Sequence, residues 1–285
     1  RKHKWKIAHM VPRKGHDAHA IKMVAREIRI SGYSKMILKS DQEPAIRELL
    51  DAVKRERTEA IDIMIEESPV GEHKSNGEVE NTAQVIQGQL RTLRLGLQSR
   101  YKIRLRADHP IMPWVIKHSA FLINVCRVGE DGRTAWERKK GKRFNQQLPE
   151  IGECVWFLRA MSEGKEKLDT RWEDGVFVGV REESGEIYVM STEGVRKVRS
   201  YKRRPEEERW NQEEFSQVVG TPWEPEPGRH QVEINANFRM KYDEVDEKVE
   251  LQSRKFQPRG IYIRRENVRD ERYGITPGCR GCEAA

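Results

Sequence analysis

SPVGEHKSNGEVEN, residues 68–81, changes character half-way: a polar loop closed by Ser75, Asn76 and Gly77 gives way to a helical pattern. Val79, Ala83, Ile86, Leu90, Leu93 and Leu97 recur at 4-3-4-3-4 spacing, which lays one continuous apolar stripe along a helix. Glu80 falls in the first turn of that helix. Gln84, Gln87, Arg91 and Arg94 share a face with it, opposite to or beside the stripe.

Working upstream, AIDIMIEE (60–67) reads as a strand, and KMILK (35–39) as a shorter one whose far end delivers Ser40 and Asp41. Pro44 opens the helix between them. WKIAHMV (5–11) predicts a further strand, and Ile21, Val24, Ala25 and Ile28 line one face of a helix over 18–30. The order βαβαβα over residues 1–101 predicts a mixed α/β domain with Asp41 at the carboxyl end of a strand, where open sheets place functional groups.

Working downstream, Pro110 and Pro113 precede a buried helix, WVIKHSAFLINVCR (114–127), and a basic turn, GRTAWERKKGKRF (132–144), closes the first unit. From Ile151 short β-rich pieces separated by glycine-containing turns predict a small antiparallel barrel or sheet. After Arg204 the chain turns acidic and proline-rich. The predicted division is an α/β core over 1–143, a small β-domain over 144–204 and a largely irregular linker over 205–285.

Composition narrows the function classes. Hydrophobic residues make up 36% and charged residues 35% of the 285, a modest core for the length. A formal charge of +8 and a pI near 9.3, from interspersed Lys and Arg, suit a polyanion such as nucleic acid. No apolar run approaches the ~18 residues of a membrane span, so a soluble, intracellular protein is expected. The four cysteines make no disulfide framework: Cys126 sits in a helical pattern, Cys154 in a strand pattern, and only Cys279 and Cys282 pair as CxxC.

Carboxylates brought together from a strand end and a helix start, Asp41 and Glu80, are hard oxygen ligands suited to Mg²⁺ or Mn²⁺, and the Gln and Arg residues beyond Glu80 could track a phosphate backbone. The same positions also serve ordinary helix chemistry. An acid in a first turn complements the helix dipole, and an Asp before a helix caps it.

LKSDQEPAI followed by SPVGEHKSNGEVEN resembles the second and third acidic positions of the retroviral and retrotransposon integrase core. WVIKHSAFLINVCRVGEDGRTAWERKKGKRF is similar to the copia-type continuation, and KLDTRWEDGVFVGVREESGEIYVMSTEGVRKVRSYK to the β-domain that follows that core. The resemblance covers residues 1 to about 204 and implies a ribonuclease H-like core followed by an SH3-like barrel, in a polyprotein-derived, DNA-integrating strand transferase. By this resemblance Asp41 and Glu80 are the catalytic, metal-holding carboxylates, preferred over Glu78 because the family's Glu follows Gly-x-Val, as in NGEVE. Two metal ions would activate the attacking hydroxyl and stabilise the leaving oxygen. DNA would meet Gln84, Gln87, Arg91, Arg94, Lys139 and Lys140, which equally fit a plain solvated face. Homo-oligomeric assembly and a nuclear site of action are implied in the same way.

The pattern departs from the family in one respect. The triad's first Asp belongs to a central strand upstream, and Asp17, the sole Asp before Asp41, lies in the KGHDAH loop. A core lacking its first central strand, a fragment that is catalytically incompetent as it stands, is therefore expected; the alternative is a non-catalytic nucleic-acid-binding protein that retains the fold. The basic runs RKKGKR (138–143) and RKVRSYKRR (196–204) interleave with Trp136, Phe144 and Tyr201, as nucleic-acid contacts or as a solvated charged face. Cys279 and Cys282 supply half of a tetrahedral zinc site, or are two free thiols. His3, His9, His16, His19 and His73 read as loop and surface residues.

Overall fold

The computed structural model describes residues 3–40, 42–56, 61–67, 77–158 and 170–228. Every described residue belongs to one compact unit, within Arg1–Gln231.

Near the N-terminus lies a βαβ unit with one extra helix. α1 (Ala18–Ser31) starts where the Asp17 side chain accepts a hydrogen bond from the Ala20 amide at 2.9 Å, and it stops at Gly32, whose left-handed conformation (φ 71°) lets its amide reach the Arg29 carbonyl. Asp17 is thus a helix cap. β1 (Lys35–Ser40), α2 (Pro44–Glu56) and β2 (Asp62–Glu67) follow, with β1 and β2 paired in parallel from Lys35↔Asp62 to Ser40↔Glu67. Period-two alternation sends Met36, Leu38, Ile63 and Ile65 inward against Ile21, Ile28, Ala52 and Val53 of the two helices. The reverse face carries Ile37 and Met64, 60% and 65% exposed.

The expected strand over 5–11 does not form. This segment is an extended strap, and a buried asparagine does the work of a partner strand: the Lys6 amide donates to Asn124 Oδ1 at 2.9 Å, and Asn124 Nδ2 donates back to the Lys6 carbonyl at 2.7 Å. Both backbone groups of Lys6 are satisfied without a sheet.

α3 (Gly77–Tyr101) is the long helix, and its apolar stripe packs on α4 (Met112–Cys126). The packing is not continuous, because Ile86 and Leu97 are buried while Val79 is 67% exposed. Twenty-five residues rise ~37 Å and fifteen only ~22 Å, so the first turns of α3 overhang α4. The basic stretch expected as a turn instead contains a short helix, α5 (Ala135–Lys140), nucleated by a capping box in which Thr134 and Glu137 satisfy each other's amides.

β3 (Cys154–Leu158), β4 (Trp172–Val180), β5 (Ile187–Ser191), β6 (Gly194–Val198) and β7 (Tyr201–Arg203) form a five-stranded antiparallel sheet in the order β6-β5-β4-β3-β7. β6 and β7 stand on opposite edges yet are joined through only Arg199 and Ser200, a reach of ~10 Å. Flat, the two edges would be ~19 Å apart, so the sheet curls on itself. Alternate residues enter two cores: Cys154, Val176, Val178 and Met190 meet Leu97, Tyr101, Trp114 and Val115, while Val155, Phe157, Phe177 and Val189 meet Phe121 and Trp136. Strands buried on both faces read as continuous apolar runs, as VFVGV does.

Residues 1–143 and 144–204 therefore share hydrophobic cores through α3, α4 and α5. The segment expected as linker also docks over its described part, 205–228. Phe215, on α6 (Gln212–Gln217), is fully buried against Tyr101, Trp114 Nε1 donates to the Gly220 carbonyl at 3.1 Å, and the Val195 amide to Pro225 at 2.7 Å. Acidic, proline-rich composition conceals one anchoring phenylalanine.

Candidate nucleic-acid and metal site

Glu80 stands in the first turn of α3, exposed, and no described residue pairs with it. Gln84, Gln87 and Arg91 extend along the same flank, all exposed, so the polar face expected beside the stripe is present. Glu80 fits a divalent cation as an uncommitted hard oxygen donor. Asp41, the residue after β1, lies outside the described residues, as do Cys279, Cys282 and His73. Among the described residues no group of three His, Cys, Asp or Glu side chains converges to hold a metal.

Arg94 is used differently. Its Nε and Nη2 donate to the Leu105 carbonyl at 3.1 and 2.6 Å, while Gln98 Oε1 accepts from the Leu105 amide at 3.0 Å. The two side chains clamp the loop after α3 and set the buried Leu105 in place. Glu78, two residues before Glu80, points ~200° away around the helix. It lines a cleft with Lys4, Lys6 and Arg127, where its charge acts on the Lys6 ammonium.

Lys139 and Lys140 of α5 lie over indoles: Lys139 Nζ is 4.1 Å from the Trp5 ring centre and Lys140 Nζ 5.6 Å from that of Trp136. Lys140 is exposed. Lys139 is half-buried, and that burial lowers its pKa.

Beneath Lys139 lies a polar cluster that sequence reasoning missed. Lys117 of α4 sits with Nζ 4.6 Å from the Tyr188 ring centre, and burial pulls its pKa down to about 8. Glu182, just past β4, is pushed up to about 7 by burial and then by Glu27. Arg26 pairs with Glu183, and His9 Nε2 lies 3.5 Å from Glu27. The neighbouring His118, packed between the Phe121 and Phe177 rings, is held neutral, its pKa pushed down to about 4 by burial. The cluster joins the strap, α1, α4 and the β4–β5 turn. Its one legible signal was the Lys-His pair inside the otherwise apolar WVIKHSAF.

No protein-family model matches the chain, and no curated protein does. Among solved structures it has a loose likeness to a chain of the simian T-cell lymphotropic virus intasome in complex with the PP2A regulatory subunit B56 gamma. The TM-score is 0.31 and the identity 16%, over 67% of this chain and 66% of that one. A superposition that loose defines no shared fold.

Proposed function

We propose that this chain is an integrase-related, polynucleotide-binding protein of retroelement lineage. Asp41 and Glu80 would hold Mg²⁺ or Mn²⁺, and the α3 flank bearing Gln84, Gln87 and Arg91 would receive DNA. The reading is carried by the order strand, Asp41, helix, parallel strand, helix with Glu80 in its first turn, exposed and with no partner among the described residues. The parallel register supports it, because Ser40 and Glu67 end side by side and both following segments leave from the same edge. The ribonuclease H-like core, the SH3-like barrel and the copia-type affiliation belong to this proposal. When bound, the metal would supply Lewis-acid stabilisation of phosphodiester oxygens. The chain's own residues would position the backbone through amide and guanidinium donors.

Calorimetric titration with Mn²⁺, run beside duplex-DNA binding and strand-transfer assays, tests the reading. Asp41→Asn and Glu80→Gln are each expected to abolish Mn²⁺ binding while leaving the fold intact. Unchanged metal binding in both variants would remove the metal assignment. A second reading, a non-catalytic nucleic-acid binder, is favoured by the lysines stacked on indoles, including Lys202 with Nζ 4.6 Å from the Trp172 ring centre. It predicts DNA binding that is indifferent to metal and to both substitutions.

A further inference from the structure

On the flank of α3 away from Glu80, the strap, the first turns of α3, the end of α4 and the loop leading to α5 enclose a cleft of about 300 Å³. That volume exceeds the ~30 Å³ share of one water many times over and accommodates a phosphate group with its substituents. Three cations face it. Lys4 and Arg127 are exposed and have no partner among the described residues. Lys6 is fixed at both ends, its backbone by Asn124 and its Nζ by a 3.1 Å hydrogen bond to Thr82 Oγ1.

Among the described residues the charges that line the cleft do not balance. Arg138 also lines it, but its guanidinium is committed to the Asp131 carboxylate and, at 2.9 Å, to the Arg133 carbonyl. Lys4, Lys6 and Arg127 remain against the carboxylates of Glu78 and Glu130. The Lys6 ammonium is disfavoured first by burial and next by Arg127, with Glu78 opposing. The amino-terminal end of a 25-residue helix adds its positive pole, and Asn81 and Asn124 supply neutral polar groups at the wall. Like charges gathered around the fixed Lys6 ammonium are relieved by an anion seated between them.

The geometry points to a phosphate-binding subsite in this cleft. It takes a backbone phosphate of a polynucleotide, with Lys4, Lys6 and Arg127 as cationic ligands and the Asn81 side chain as a neutral donor. The assignment rests on the polynucleotide-binding reading. It places a second contact across α3 from the Glu80 flank, so that the overhanging turns of the helix would be gripped by DNA from two sides.

The test uses the full chain, a Lys4→Ala/Arg127→Ala double variant and Lys54→Ala, an exposed cation on α2, as control. Unfolding curves verify that these surface changes leave the fold unaltered. Duplex-DNA affinity is measured across a salt series, and inorganic phosphate is titrated while the Lys6 amide and Asn81 side-chain NMR signals are followed. The double variant is expected to make the slope of log affinity against log salt shallower by about 1, with Lys54→Ala unchanged. An unchanged slope in the double variant overturns the proposal. So does saturation of the cleft by inorganic phosphate with DNA affinity indifferent to the double substitution, which would assign it to a free phosphate ligand. Failure of the unaltered chain to bind duplex at all would instead strike the broader polynucleotide reading.

Discussion

His118 shows how burial sets a residue's behaviour. Its folded pKa of about 4 lies below the ordinary 6.5, so its contribution to stability is fully present above pH 6.5 and is lost as pH falls through 4. The full shift corresponds to about 3 kcal/mol. Glu182 has the opposite sign: held up at about 7, it contributes most below its unfolded value and loses that contribution as pH rises through 7. His118→Asn should therefore flatten the acid limb of the stability profile and leave the Glu182 decline between about pH 4.5 and 7 visible, as read by denaturant unfolding at a series of pH values. An acid limb identical to that of the unaltered protein would exclude His118 as its source. Glu153 is the other decisive residue, fully buried, with Arg203 Nε and Nη2 each at 2.7 Å from its carboxylate oxygens. Arg203→Ala leaves that carboxylate with Arg209 at 3.6 Å as its nearest cation, and is expected to destabilise by about 3 kcal/mol, more than Glu153→Gln.

Among the elements, the strap and α3 depart most from their sequence patterns. WKIAHMV has the composition of a strand, but no described strand pairs with it; Asn124 and the apolar contact of Ala8 with Ile86, Ala120 and Ile123 hold it instead. Asn124→Ala removes both hydrogen bonds to Lys6 and should cost about 2 kcal/mol. Faster amide exchange confined to residues 4–9 would confirm that the asparagine anchors this segment, whereas exchange unchanged there would show that apolar contacts suffice. Along α3 the regular stripe promised uniform burial. Packing stops where α4 runs out, and periodicity measures which way a residue points without registering the length of its partner.

For the whole molecule, the consequence of the shared cores is cooperativity. Val176, Val178, Tyr188 and Met190 of the curled sheet are covered by Leu97, Tyr101 and Trp114 of the helices and by Phe215 of α6. A piece comprising residues 144–204 alone would expose that entire apolar layer, and the expected outcome is an unfolded or aggregated fragment with collapsed NMR dispersion. Residues 3–228 should unfold in one transition, with tryptophan fluorescence and far-UV circular dichroism coincident. Two separated transitions would show that the α/β part and the sheet are independent domains.

Local chemistry determined what local residues control. The extents of α1, β1, α2 and α4, the change to antiparallel strands after Ile151, and the exposed flank of Glu80, Gln84, Gln87 and Arg91 were legible because periodicity, caps and prolines act within a few residues. Tertiary structure alone decided that Arg94 clamps Leu105, that Lys117 and Glu182 meet beneath the strap, that Lys4, Lys6 and Arg127 face one cleft, and that Phe215 anchors an acidic segment. Each of these depends on contacts between residues far apart in the chain. Their burial and mutual field exist only once packing has brought them together.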